Sequence, residues 1–171
     1  MARQPILDPG GLARATERLA SLVPGYSGYK SRDQAGEEDR TLRSAVHQQL
    51  GLTLGRLERA LSQIAPQIPA EDVDQAANLL RMLGRNRDRI RFVPSGSGSF
   101  FSRGKILLQD FEGLIALDAG LWSVLEELDR LAAAWDQQSR RGRTEWPREG
   151  IRDALIGLED LIEEREAYLR S

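Results

Sequence analysis

Apolar residues recur along this chain at alternating spacings of three and four, the signature of amphipathic helices. Leu12, Ala15, Leu19 and Leu22 mark a short first helix from about Gly11 to Val23. It stops at Pro24 and Gly25, because proline cannot continue a helix and glycine accepts the turn. A long second helix follows to about Ala65, carried by Leu42, Val46, Leu50, Thr53, Leu57, Leu61 and Ile64, with Arg32 to Arg40 as a charged, solvated first part. Gly51 and Gly55, four apart on this post, predict tight packing against a neighbouring helix. Pro66 and Pro69 bracket a connection to a third helix from about Ala70 to Gly84, with a continuation to Ile90 left open.

The periodicity breaks once, between Arg91 and Gly104. Phe92 and Val93 suit a short extended piece, and Pro94-Ser95-Gly96-Ser97-Gly98-Ser99 reads as a loop ending in Phe100 and Phe101. A second long helix then spans about Leu107 to Gln138. After the basic stretch from Ser139 to Thr144, a last helix runs from about Trp146 to Arg170, burying Ile151, Leu155, Leu158, Ile162 and Leu169. Thr144 is its expected cap, with Pro147 in the first turn and Trp146 as a staple. The acidic residues Glu159, Asp160, Glu163, Glu164 and Glu166 read as a solvated face of that helix, partly balanced by Arg165.

One position violates the pattern. The stripe Phe111, Leu114, Asp118, Leu121, Leu125, Leu128, Ala132, Trp135 places a carboxylate on the face that should meet the core. Burying it unpaired would cost several kcal/mol or force its protonation, so an arginine, a hydroxyl or backbone donors should be aimed at it. Asp118 is thus expected as a buried polar lock, and Asp118→Ala to cost about 1 to 3 kcal/mol through the donor it orphans.

Composition narrows the class. At 171 residues, 40% hydrophobic and 29% charged, the chain is expected to form a single helical-bundle domain over 1–171. No apolar run approaches the roughly 18 residues of a membrane span, and Met1 to Pro9 lacks signal-peptide character, so cytoplasmic residence is the default expectation. The absence of cysteine removes disulfides, thiolate nucleophiles and cysteine zinc sites. The one histidine, His47, lies mid-helix with no nucleophile elbow anywhere in the chain. A di-iron bundle wants histidine three residues after a glutamate, and position 44 is Ser44. No cofactor, metal site or catalytic constellation is therefore expected. The net charge of -2 does not recruit nucleic acid globally, and an arginine bias that leaves Lys30 and Lys105 as the lysines among 24 basic residues carries no functional reading by itself.

Two regions offer contact chemistry. The arginine-rich segment 81–105, with Arg81, Arg85, Arg87, Arg89, Arg91, Arg103 and Lys105 around the glycines of the loop, holds the materials of an anion site, although no phosphate-loop or dinucleotide motif is present. Phe92, Phe100 and Phe101 could stack on single-stranded bases there, or offer an apolar patch to a protein. The second region is Gly25-Tyr26-Ser27-Gly28-Tyr29-Lys30, whose glycines permit unusual backbone angles. Tyr26 and Tyr29 then either protrude as contact aromatics or, the favoured reading, plug the space between helices.

This Gly-Tyr-x-Gly-Tyr-Lys segment, the later Arg89-Ile90-Arg91-Phe92 with its glycine-serine-phenylalanine loop, and the helix carrying Leu117-Asp118 together resemble uncharacterised bacterial all-helical proteins. The resemblance covers about a third of the chain. It implies a bundle in which Tyr26, Tyr29 and Asp118 matter, and it implies no reaction, cofactor or catalytic residue.

The expected architecture is all-α: about four main helices with a short leading helix and one irregular Gly/Ser/Phe loop. The leading functional expectation is a non-catalytic protein-protein interaction or scaffold module, self-association included, touching its partner through Tyr26, Tyr29, Phe100 and Phe101. The alternative is an anion or nucleic-acid binder using Arg85, Arg87, Arg89, Arg91, Arg103 and Lys105. A third reading, an enzyme using Asp118 as acid or base beside Arg89 or Arg91, requires an internal polar pocket.

Overall fold

The computed structural model of the chain describes residues 9–92, 100–101 and 108–171. Five α-helices account for nearly all of them: α1 Pro9–Leu22, α2 Arg32–Ile64, α3 Ala70–Arg91, α4 Leu108–Arg140 and α5 Arg148–Arg170. A 3-10 turn at Ala65–Gln67 links α2 to α3. The all-helical class and the plan of four main helices with a short leader are those predicted. The centre of the predicted glycine-serine loop, together with Arg103 and Lys105, lies outside the described residues.

The main helices alternate in direction and pack as a ring: α2 lies against α3 and α4, and α5 closes the ring between them, while α1 leans on α4 from outside. The two 33-residue helices α2 and α4 are each about 50 Å long and form the longest seam. Leu42, Val46, Leu50 and Leu57 of α2 meet Leu114, Leu121, Leu125 and Leu128 of α4 in one continuous core, joined by Ile151, Leu155, Leu158 and Ile162 of α5. No helix among the described residues is long and apolar enough to cross a membrane.

Polar ties punctuate the seams midway and at one end. Midway, Thr53 and Arg56 of α2 both donate to Asp129 of α4, at 3.1 and 2.6 Å. At the end formed by the α2–α3 and α4–α5 connections, Ser139 donates to Gln63 at 2.5 Å and Arg148 pairs with Asp72. Trp146 stacks on Trp135 there, with ring centroids 5.6 Å apart, so its stapling role is met across the α4–α5 connection. Thr144 is not the cap of α5: the helix begins two residues later than predicted, and Pro147 occupies the cap position without a side-chain hydrogen bond.

Close helix contact occurs at other glycines than those expected. A Cβ on Gly51 or Gly55 would meet nothing nearer than 3.8 Å, the tip regions of Arg87 and Arg59, so neither admits a neighbouring backbone. Gly113 of α4 does the real close packing, because a methyl there would stand 2.6 Å from Tyr168 Cζ and nearer still to its hydroxyl. The Tyr168 hydroxyl donates to the carbonyl of Asp110 at 2.6 Å, which pins the ring over that glycine. Gly113→Ala is therefore expected to lower stability by about 1 to 3 kcal/mol through overpacking. Gly157→Ala, whose new methyl meets Val124 no nearer than 4.0 Å, should raise it by about 0.5 to 1 kcal/mol through helix propensity. Urea unfolding of the two variants checks both signs.

Candidate functional site

The predicted partner for Asp118 exists, and it comes from an unexpected place. Asp118 is fully buried on α4, where its Oδ1 accepts from Arg165 Nε of α5 at 2.7 Å and its Oδ2 accepts from the Tyr29 hydroxyl at 2.7 Å. Arg165 reaches on through Nη2 to Asp39 Oδ1 of α2 at 2.6 Å. Asp39 Oδ2 accepts from Arg43 Nε at 2.8 Å, and Arg43 Nη1 donates to the carbonyl of Arg91 at the end of α3 at 2.6 Å. Four helices and the α1–α2 connection thus meet in one chain of hydrogen bonds. All four carboxylate oxygens are used, and the formal charges of the two aspartates and two arginines cancel.

Local sequence explains how each group arrives. In the connection between α1 and α2, Gly25 and Gly28 adopt positive φ of 83° and 87°, reversing the chain on either side of Tyr26. Gly28 is constrained twice, since a Cβ there would also meet Thr16 Cγ2 of α1 at 2.8 Å. Ser27 donates its backbone N–H and its hydroxyl to the two oxygens of Glu38, at 2.9 and 2.7 Å, which ties this connection to α2. Tyr29 then stacks on Phe111 at 5.7 Å, and Tyr26 meets it edge-on at 5.9 Å. Both tyrosines are the plug of the favoured reading, and neither presents a ring for contact.

Burial sets the electrostatics. Desolvation raises the Asp118 carboxyl above the usual aspartate value, and the Arg165 charge with the Arg165 and Tyr29 hydrogen bonds offsets this only in part. For Arg165 burial works against the charge, but Asp118, Tyr29 and Asp39 outweigh it and hold the guanidinium well above its ordinary value. Tyr29 and Tyr26 are both raised, first by burial and then by the charge of Asp118.

Other candidates fall outside this cluster. Phe100 is buried, edge-on to the half-buried Phe101 at 5.2 Å and tilted against Tyr168 at 5.8 Å, so the pair does not form the free apolar patch expected. The cause is that α5 supplies an aromatic ring to cover it. Phe92 is instead the exposed ring, at 68%. Of the arginines, Arg89 is bound by both oxygens of Glu166 at 2.7 Å and by Glu163 at 3.4 Å. Arg87 pairs with Asp88 at 2.9 Å, while Arg85 and Arg91 are exposed. Neither Arg89 nor Arg91 offers Asp118 its guanidinium, which corrects the pairing assumed for an acid-base site. Glu163 and Glu166 are engaged across the α3–α5 seam and are not simply solvated.

Among the hollows on the surface of the described residues, two stand out. One, of about 180 Å³, is floored by Ala15, Leu19, Ala119 and Trp122 between α1 and α4. The other is an open groove of about 510 Å³ between α2 and α3, with Leu54, Ala77, Leu80 and Gly84 as its floor and Glu58, Arg81, Arg85 and Asp88 at its rim. Asp118 lines neither. Among the described residues, no group of three or more metal-ligating side chains could hold an ion. Comparison with family models, with characterised proteins and with solved structures finds no match for this chain.

Asp39, Arg43 and Arg165 were missed by the sequence reading, and a signal for two of them existed. Continuing the α5 stripe from Ile162 by three reaches Arg165, then by four Leu169; stepping back from Leu42 by three reaches Asp39. Two charges thus sat at inward positions.

Because Asp118 faces a buried guanidinium, its removal should cost more than an orphaned neutral donor: Asp118→Ala is expected to lose about 3 to 5 kcal/mol in urea unfolding. A loss under about 1 kcal/mol would show that the cluster is hydrated. The raised tyrosines make a pH prediction. A folded pKa above the unfolded value of about 10 contributes stability that is complete below 10 and lost as pH rises past it, since the unfolded chain gives up those protons first. Stability should fall above about pH 10, and most phenolate absorbance should appear together with loss of the helical signal. Full phenolate absorbance on an intact helical protein would contradict this.

Proposed function

We propose that the chain is a non-catalytic helical module that offers its outer helix faces to a protein partner, self-association included, and that it works in the cytoplasm. The observation that carries this reading is the saturation of the buried cluster. Tyr29, Asp39, Arg43, Asp118 and Arg165 hydrogen-bond to one another and, through Arg43, to the Arg91 carbonyl, so that neither aspartate keeps a free oxygen. An interior carboxylate beside an open pocket would favour acid-base chemistry; Asp118 has neither an accessible face nor a free oxygen.

The groove between α2 and α3 is the surface best suited to a partner. Its floor is apolar and small, and its rim carries both signs of charge, the anatomy of an interaction patch with a polar border. The anion-binding alternative draws on fewer groups than its sequence suggests, because Arg89 and Arg87 already face carboxylates.

Site-specific photo-crosslinking tests the module reading. With a benzoylphenylalanine at position 85, expressing cells should yield protein adducts that a probe at the exposed position Gln137 on α4 does not give. Absence of adducts from position 85 would overturn it.

A further inference from the structure

The outward face of α3 carries an ordered charge pattern that the bundle does not use. Along it, Glu71 and Asp74 are exposed in the first two turns, Asn78 in the middle, and Arg81 and Arg85 in the second half. These residues fall on one side of the helix at spacings of three and four, opposite the buried Ala76, Leu80, Leu83 and Ile90. Among the described residues their side-chain hydrogen bonds stay on α3 itself: Gln75 donates to Glu71 at 3.2 Å, and Arg81 donates to Asn78.

We propose that this face pairs with a second copy of the chain, α3 against α3 and antiparallel, about a two-fold axis near Asn78. This rests on the module reading and names its partner. In an antiparallel pair, residues that face each other have numbers of nearly constant sum. With Asn78 on the axis, Arg85 stands opposite Glu71 of the second copy and Arg81 opposite its Asp74, and two-fold symmetry repeats both pairs. Asp88 then lies beyond the acidic residues of the other α3, and no like charges face each other. A parallel pairing in register would set Arg against Arg and acid against acid, so the pattern selects one orientation.

The groove supplies the apolar part of the contact. Ala77 and Gly84, seven apart beside Leu80, keep the α3 flank low next to the pairing face. The flank at Gly84 has room for a side chain: a Cβ there would only reach ordinary van der Waals contact with Leu54 Cδ2 of α2, at 3.9 Å. A 22-residue helix is about 33 Å long, a small interface by the standard of about 800 Å² per partner, so association is expected in the micromolar range and weakened by salt.

Charge reversal in two halves provides the test, read by sedimentation velocity across a concentration series of the full chain. The parent is expected to dimerise reversibly. The double variant Arg81→Glu with Arg85→Glu makes the face wholly acidic, and Glu71→Arg with Asp74→Arg makes it wholly basic; each should weaken dimerisation by about tenfold or more. An equimolar mixture of the two variants should recover the dimer. A parent that stays monomeric to about 200 μM, or variants that dimerise like the parent, would overturn the proposal. Should reversal at 71 and 74 unfold α3, Gly84→Phe serves instead: the ring fills the groove, leaves the helical signal unchanged and is expected to abolish the dimer, and persistence of the dimer would overturn the proposal. Adducts from position 85 to a different protein, with a monomeric parent, would end this inference and leave the module reading standing.

Discussion

The buried ion pair between Asp118 and Arg165 is the constraint on which the rest of this structure turns. Two charges removed from water cost several kcal/mol each, and their attraction repays that only when the remaining lone pairs and protons also find partners. Here Tyr29 takes the second oxygen of Asp118, Asp39 takes the second arm of Arg165, and Arg43 takes the second oxygen of Asp39. Each new member comes from a different part of the chain or extends the reach to another, until the last hydrogen bond ends on the α3 carbonyl of Arg91. The pair can therefore exist only in the assembled bundle.

That dependence gives the cluster its structural meaning. Leucine stripes alone would allow α4 and α5 to slide by a turn and still bury apolar surface. A carboxylate at position 118 is tolerated only where a guanidinium and a phenol arrive together, which fixes axial position and helix order at this end. The ties from Arg56 to Asp129, and from Arg148 to Asp72, repeat the device at the middle and far end with half-exposed groups. These cost less to bury and specify less. The positive-φ glycines 25 and 28 belong to the same scheme, since without them Tyr29 could not turn inward between α1 and α2.

Much of the fold was legible in the sequence, because helix periodicity is a local property that survives without knowledge of neighbours. The stripe around Asp118 named both the helix and the need for a partner. The identity of that partner was not local. Arg165 sits among Glu163, Glu164 and Glu166, and in that company it reads as a surface counter-charge unless the Ile162 to Leu169 stripe is followed through it. Phe100 and Phe101 show the same limit: adjacent aromatics after a glycine-serine run look exposed, and only the position of Tyr168, far along the chain, shows what covers Phe100. The Thr144 cap failed for a local reason. The chain stays irregular through Pro147, with Arg148 N–H turning back to the Trp146 carbonyl, before α5 begins, so the threonine stands too early to cap it.

A double-mutant cycle between Asp118 and Arg165 measures the central interaction most directly, using Asp118→Leu, Arg165→Met and the combined variant in denaturant unfolding. If the pair organises the bundle, each single change strands a buried charge and the double change relieves it, giving a coupling of about 2 to 3 kcal/mol. Single effects that add to within about 0.5 kcal/mol would contradict that view and return the stability of the bundle to its apolar stripes alone.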